Sequence, residues 1–185
     1  MRSDRAYLRA RLRETFTWLG DRTDERHHAE ISAWWRDPGL LSDIGSSLAD
    51  LFRGRGVTAV LGVEARGFVL GPLVAVGLGA GFVEVRKEPS AASDSDRWIR
   101  RVTPPDYRDR NLTLGVRRDL ITSADQVLLV DDWVDTGGQA LGARRIVDEV
   151  GATWVGTAVI VDALENNAVR RELGVKSLLH HRDLP

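Results

Sequence analysis

Two acidic side chains followed by a glycine-rich turn make segment 131–139 the most informative part of the sequence. Asp131 and Asp132 come directly after an apolar run, and a Thr-Gly-Gly turn begins four positions later, at Thr136. Such a turn at the start of a helix presents backbone N–H groups to an anion, and the helix dipole favours negative charge there. Glycine allows the backbone to approach closely, and the threonine hydroxyl adds a donor. The segment therefore predicts a phosphate site.

The acidic pair needs a different ligand, because carboxylates repel a phosphate. Sugar hydroxyls or a hydrated Mg²⁺ ion are suitable partners for Asp131 and Asp132. A purely structural alternative is also open, in which the acids end a strand and the Thr-Gly-Gly turn caps a helix. A receiver domain also has a strand that ends in an acidic pair, but the chain ends at residue 185, too soon after Asp132 to complete that fold.

Basic side chains follow two other apolar runs. Arg66 and Gly67 come shortly after the run 57–63, and Arg86 and Lys87 end the next one. Arginine on a tight turn beside a glycine is suited to holding a diphosphate. The alternatives are that Arg66 pairs with a surface acid and that the Arg-Lys pair is a solvated surface.

The elements that must position these residues alternate between apolar strands and helices. The pattern predicts helices over residues 5–18, 40–52, 68–78 and 139–150, and strands over 57–63, 82–86, 112–116, 126–130 and 154–161. Continuous apolar strands that alternate with helices indicate a parallel sheet covered on both faces, of the doubly wound α/β type. Ligands of such sheets bind beyond the carboxyl ends of the strands. The chemistry is therefore expected in the loops after Val63, Arg86, Val130 and Val161.

Composition excludes several classes of function. The chain has 185 residues, 43% of them hydrophobic, and a formal net charge of −1, which fits one domain and argues against a nucleic-acid partner. The absence of cysteine excludes disulfides, a thiolate nucleophile and cysteine-ligated metals. The histidines form two adjacent pairs, His27-His28 and His180-His181, a spacing that does not favour zinc. No signal peptide or membrane segment is visible, so we expect a soluble, cytoplasmic protein.

Residues 88–111 are polar and show no clear period. A long irregular segment in a compact domain is often a lid that excludes water from a reacting site, and Trp98 among arginines could seal one. The alternatives are a loop without a defined role and, less favoured, a single-stranded nucleic-acid contact.

Together, these motifs resemble those of the type I phosphoribosyltransferases. The match runs over roughly residues 35–182 and is nearest to the adenine branch of the family. The resemblance implies a central, mostly parallel sheet flanked by helices, in a single domain over residues 1–185. Within it, residues 1–54 would form a small helical hood and residues 55–185 the core that binds 5-phosphoribosyl-1-pyrophosphate (PRPP).

The resemblance also assigns roles. Asp131 and Asp132 would hold the ribose hydroxyls and Mg²⁺, directly or through water. Asp135 would exchange a proton with the base, and Arg66 and Lys87 would stabilise the leaving pyrophosphate. The full set implied to bind PRPP is Glu64, Ala65, Arg66, Gly67, Arg86, Lys87, Asp131, Asp132, Asp135, Thr136, Gly137, Gly138 and Gln139.

The implied reaction converts a nucleobase, with a purine favoured, and PRPP to a nucleoside 5′-monophosphate and pyrophosphate. Family members are commonly homodimers, which implies the same here. Two alternatives remain open: a PRPP- or nucleotide-binding regulatory protein without turnover, and a transferase for a non-standard acceptor.

The sequence departs from the adenine branch at several points. The Glu-Tyr-Gly element of the mobile loop is replaced by residues 107–111, and the family's usual aspartate is Glu64 here. Asp135 stands where the adenine branch commonly has alanine and the hypoxanthine-guanine branch has aspartate. Trp133 stands where the family has a smaller apolar residue, and packing behind the loop is favoured over a role in the site.

Overall fold

The computed structural model describes residues 5–20, 28–88, 95–104 and 111–185. In this part of the chain the helices are α1 (Arg5–Glu14), α2 (Ser32–Arg36), α3 (Pro38–Asp50), α4 (Gly67–Leu78), α5 (Gly138–Val150) and α6 (Asn167–Leu173). The strands are β1 (Thr17–Leu19), β2 (His28–Glu30), β3 (Ala59–Val63), β4 (Gly81–Lys87), β5 (Trp98–Val102), β6 (Thr113–Arg117), β7 (Gln126–Val134), β8 (Thr153–Asp162) and β9 (Val175–His180).

The central sheet contains seven of the described strands, in the order β5-β6-β4-β3-β7-β8-β9. Strands β4, β3, β7, β8 and β9 run parallel. At one edge, β6 pairs antiparallel with β4, and β5 pairs antiparallel with β6. Every residue of β3 is buried, as expected for a parallel strand covered on both faces. The predicted α/β fold with a mostly parallel sheet is confirmed.

Two hydrophobic cores cover the two faces of the sheet. Because side chains alternate along a strand, Leu128 and Val130 of β7 belong to one core, with α1, α3 and α4. Val127 and Leu129 belong to the other, together with α5. The parallel strands therefore end between two helical layers, and their carboxyl ends form an edge on which a site can be built.

The predicted helix over residues 5–18 is wrong beyond Glu14. Residues 17–19 form β1 instead, which pairs antiparallel with β2. The apolar spacing continues because Phe16 packs into the same core as α1, 5.0 Å from the ring of Trp18. A helical period and a strand that enters the same core cannot be distinguished over so few residues.

The expectation that residues 88–111 lack regular structure is also wrong in part. Residues 98–102 form β5, which pairs with β6 and buries Ile99. Arg101 pairs with Glu149 of α5. Residues 89–94 and 105–110, where most of the proposed lid and of the replaced Glu-Tyr-Gly element fall, lie outside the described residues.

None of the described helices is long and apolar enough to cross a membrane.

Candidate active site

A cleft of about 660 Å³ opens at the carboxyl ends of the parallel strands. It lies where the sequence placed the chemistry, beyond β3, β4, β7 and β8. The predicted site residues that line it are Glu64, Ala65, Arg66, Lys87, Asp131, Asp132, Asp135, Thr136, Gly137, Gly138 and Gln139. The residues on its wall that sequence reasoning did not place there are Trp18, His28, Ala29, Leu129, Trp133, Val134, Ala140, Thr157, Val159, Ala163 and His181.

The loop after β3 is tied to the end of β4. The Glu64 carboxylate accepts a hydrogen bond from the Lys87 backbone N–H at 3.0 Å, and the Glu64 N–H donates to the Val85 carbonyl at 3.0 Å. The Glu64–Ala65 peptide bond is cis. Arg66 lies at the start of α4, on the wall of the cleft.

Gly67 is a packing residue in this structure. A Cβ at Gly67 would lie 2.8 Å from the Gly62 carbonyl carbon, and one at Gly62 would lie 2.2 Å from the Gly67 carbonyl oxygen. The close approach lets α4 begin directly against β3. Gly67 is not among the residues that line the cleft.

The adjacent Arg86 and Lys87 are separated by the pleat of β4. Neighbouring side chains on a strand point to opposite faces, and only Lys87 lines the cleft. Arg86 instead pairs with Glu84 at 2.6 Å and lies 5.5 Å from the centre of the Phe68 ring. The structure therefore does not bring Arg86 to the site, and for this residue the solvated-surface alternative fits its position.

The acidic pair is part of β7, not of a loop. The strand continues to Val134, four residues beyond its predicted end, because Asp131 and Trp133 still pair with β8. Asp132 is 7% exposed, and its carboxylate lies 2.8 Å from Nη1 of Arg66. The partner of Arg66 is thus an acid of the site, not a surface acid. Pairing satisfies the buried charge of Asp132, which would otherwise be costly.

Asp131 has an electrostatic environment unlike that of an ordinary aspartate. Burial and the negative charge of Asp132 raise the pKa of Asp131 well above its usual range, and the charge of Lys87 opposes the rise. The Asp131 carboxylate accepts a hydrogen bond from the Asp132 N–H at 3.0 Å. Two acids so close together favour a ligand that brings hydroxyl donors or positive charge.

The turn after β7 leaves the start of α5 open to the cleft. Gly137 has a φ of +80° and supplies no side-chain cap to α5. A Cβ at this position would lie 2.8 Å from Cγ1 of Val169, so the turn requires glycine. The Thr136 hydroxyl accepts from the Gly138 N–H at 3.3 Å. Because Gly138 and Gln139 line the cleft, this helix start can bind an anion.

Asp135 lies on the same wall with an exposed side chain. Partial burial of the carboxyl and the charge of Glu165 raise the pKa of Asp135, and the charge of His181 opposes the rise. The importance of His181 was missed because the sequence drew attention only to metal binding by the histidine pair. Its position depends on a pairing of β9 with β8 that no local pattern shows.

Trp133 has two roles that the sequence presented as alternatives. It lines the cleft, and its ring also packs 6.5 Å from that of Phe16 and 6.1 Å from that of Trp18. The indole therefore joins β7 to residues 16–18 and forms part of the cleft wall.

The donor set fits Mg²⁺ only in combination with a ligand. In the described ranges no group of three or more histidine or acidic side chains could enclose a metal. Mg²⁺ commonly binds one or two carboxylates and completes its shell with water and substrate phosphates. Asp131 and Asp132, beside an anion-binding helix start, match that type of partial site.

Comparison with known proteins gives one consistent result. A family model described as the phosphoribosyl transferase domain matches residues 36–179. An adenine phosphoribosyltransferase of Ralstonia nicotianae is 32% identical over 184 residues, which cover 97% of this chain and 83% of that protein. One of Methylococcus capsulatus is 36% identical over 154 residues, covering 82% of this chain and 87% of that protein.

Solved structures agree with the sequence comparison. The adenine phosphoribosyltransferase of Rhodothermus marinus has a TM-score of 0.79 and 28% identity, covering 95% of this chain and 99% of that one. That of Trypanosoma brucei, in complex with AMP, pyrophosphate and ribose-5-phosphate, has a TM-score of 0.78 and 26% identity, covering 96% of this chain and 81% of that one.

Proposed function

We propose, since the chain belongs to the phosphoribosyl transferase domain family, that its purine acceptor is adenine and its product AMP. The chain is a phosphoribosyltransferase that joins a nucleobase to the phosphoribosyl group of PRPP and releases pyrophosphate. The choice of adenine rests on the relatives of this chain, which are adenine phosphoribosyltransferases. The observation that supports the reaction most strongly is one cleft that combines an acidic pair, an open helix start and two basic side chains.

The β7–α5 segment supplies the ribose phosphate half of the site. The backbone N–H groups and hydroxyl of residues 136–139 bind the 5′-phosphate, because an uncapped helix start favours an anion. Asp131 and Asp132 accept hydrogen bonds from the ribose hydroxyls, which supply donors to two closely spaced carboxyl groups.

Arg66 and Lys87 act on the leaving group. As the bond to pyrophosphate breaks, positive charge develops on the ribose ring and negative charge on the departing pyrophosphate. Cations already in place stabilise that negative charge without reorganisation. Mg²⁺, held by Asp131 and Asp132 together with substrate oxygens, would supply further charge neutralisation when bound.

Asp135 is suited to proton exchange with the base. Its raised pKa brings the carboxyl closer to the working pH of a general base or acid than an ordinary aspartate. Its side chain stands next to the phosphate turn, so a base attached to the bound ribose comes within reach.

The experiment measures release of pyrophosphate and formation of nucleotide from PRPP, Mg²⁺ and a panel of adenine, guanine, hypoxanthine, xanthine, uracil and orotate. We expect AMP from adenine, with the other bases at least tenfold lower in kcat/KM. Turnover of another base alone would contradict the choice of adenine. PRPP binding by calorimetry without any turnover would instead indicate the regulatory alternative.

We also propose that the protein acts as a homodimer. Helix α4 contains no charged residue, although Val69 is 40% and Val76 83% exposed. An apolar helix with such an exposed face is typical of an interface between subunits. Light scattering should give twice the 20.5 kDa chain mass, and Val76→Glu should shift the protein toward monomer.

A further inference from the structure

His181 is held at the cleft by a rigid turn at the end of the chain. It begins a short 3₁₀ turn after β9, in which the His180 N–H donates to the Asp183 carboxylate at 2.9 Å. The Arg182 N–H donates to Nδ1 of His180 at 3.2 Å. The Asp183 carboxylate also binds Arg9 of α1 at 2.7 Å. The turn is therefore fixed to both the sheet and the hood, and His181 lines the cleft from it.

The imidazole of His181 has an unusual hydrogen-bonding state. Its Nδ1 atom is shielded from water and has no hydrogen-bond partner in the described part of the chain. A buried N–H without an acceptor is more costly than a buried lone pair. The tautomer that carries its proton on Nε2 is therefore favoured in the neutral ring, and Nε2–H is then its donor.

The cleft wall thus presents a donor and an acceptor. Asp135 and His181 both line it, and they are close enough to interact electrostatically. An ionised carboxylate only accepts hydrogen bonds, and the neutral imidazole can donate one through Nε2. Adenine presents the complementary groups. Its 6-amino group donates a hydrogen bond, and a ring nitrogen that accepts one lies on each side of it, N1 on one side and N7 on the other.

We propose that Asp135 and His181 together read the 6-amino edge of the base, with the Asp135 carboxylate accepting from the amino group and His181 Nε2–H donating to the neighbouring ring nitrogen. This inference rests on the proposed use of adenine and adds a specificity residue to it. It also replaces proton exchange by Asp135 with a hydrogen bond that orients the base. The ring nitrogen is either N7 or N1, because each accepts a hydrogen bond beside the 6-amino group.

The experiment pairs variants with altered bases. His181→Phe keeps a ring of similar size but removes the donor, and His181→Gln restores an N–H donor. Arg182→Gln, on the same turn but exposed and away from the cleft wall, is the matched control. Each protein is assayed with adenine, 7-deazaadenine and 1-deazaadenine, and AMP binding is measured by calorimetry in the same set.

We expect His181→Phe to lower kcat/KM for adenine about threefold to tenfold, the effect of one neutral hydrogen bond. The same variant should leave kcat/KM unchanged for the deazaadenine that lacks the contacted nitrogen, and His181→Gln should recover part of the loss. The melting temperature should not fall, because the ring loses a nitrogen that had no partner.

An equal loss with all three bases, or no loss with adenine, would overturn the inference. A fall in melting temperature with no change in selectivity would mean that His181 is only structural. If the wild type made no AMP, the proposed function would fail, but weaker AMP binding by His181→Phe alone would still support base reading.

Discussion

The two halves of the cleft are built in different ways. The half assigned to PRPP comes from short segments at the ends of parallel strands, namely residues 64–66, Lys87, residues 131–132 and residues 136–139. The half assigned to the base combines Asp135 with distant parts of the chain, His181 of the last turn and the neighbouring wall residues Trp18 and His28. The first half is fixed by the sheet itself, whereas the second depends on the two ends of the chain being held together.

Those ends are joined by specific polar contacts. Nε1 of Trp18 donates to the Pro185 carbonyl at 3.0 Å, and Arg9 pairs with Asp183 at 2.7 Å. We therefore expect damage to the first half to weaken the reaction with every base, whereas damage to the second should change which base is used and how tightly it binds.

The largest effect is expected from Arg66→Gln. The variant loses a cation for the leaving group and leaves the mostly buried Asp132 without its partner. We expect kcat/KM to fall about 100-fold to 1000-fold, the range seen when one preorganised donor is removed from a transition state. Steady-state pyrophosphate release measures it.

Arg86→Gln is the matched control, because Arg86 pairs with Glu84 outside the cleft. It should change kcat/KM less than threefold. Equal losses in the two arginine variants would contradict the assignment of Arg66 alone to the site.

A smaller effect is expected from Gly137→Ala. The new Cβ would meet Val169 at 2.8 Å with φ at +80°, so the phosphate turn must shift. We expect a loss of stability of about 1–2 kcal/mol in urea unfolding and a rise of KM for PRPP of about tenfold.

Gly79→Ala is the control for the cost of a positive φ in a residue with a Cβ. Gly79 also has a positive φ, of +69°, but nothing lies within 4 Å of its Cβ position. It should lose stability through its backbone and keep its KM for PRPP. A similar rise of KM in both glycine variants would argue against an anion at the α5 start.

The base half should respond more weakly and selectively to Trp18→Phe. The substitution keeps an aromatic ring beside Trp133 but removes the hydrogen bond to Pro185. One such bond contributes about 1 kcal/mol, so KM for adenine should rise about fivefold while KM for PRPP stays constant. If KM for PRPP rose equally, the two halves would not be separable.

The smallest effect concerns pH. Burial and Glu165 raise the pKa of Asp135, so the ionised carboxylate is lost at a higher pH than for an ordinary aspartate as the pH falls. The acidic limb of kcat/KM for adenine should therefore lie above the usual aspartate range. Glu165→Gln removes a charge that raises this pKa and should move the limb to lower pH by less than about one unit. If the acidic limb did not move in Glu165→Gln, the assignment of this limb to Asp135 would be contradicted.

The contrast between the halves also explains how much the sequence could predict. The apolar runs of β3, β4, β7 and β8 and the end of α5 at Gly151 are local features of the sequence. The parallel sheet, the strands that precede the motifs and most residues of the PRPP half were therefore predictable. The end of β7 was misplaced because carboxylates such as Asp131 are unusual inside a strand. Only pairing with β8 keeps them there.

The remaining differences between the sequence-based expectations and the structure arise from contacts between distant residues. Arg86 and Lys87 look equivalent in sequence, but the register of β4 against β3 decides which of them reaches the cleft. β5 was missed because its stability comes from pairing with β6 and burial of Ile99, not from a clear local alternation. The place of His181 depends on the pairing of β9 with β8, and Arg9, near the opposite end of the chain, contacts the turn that carries it.

The Arg66–Asp132 ion pair has a consequence for inhibitor discovery. Its two partners are unequal, since the side chain of Arg66 is 48% exposed and that of Asp132 only 10%. The guanidinium is thus the partner that can move, but its movement leaves the buried Asp132 charge unpaired, so we expect only an anionic compound to draw it away. Screens of neutral fragments should find the aromatic end of the cleft, whereas compounds with phosphonate or bisphosphonate groups should open the other end.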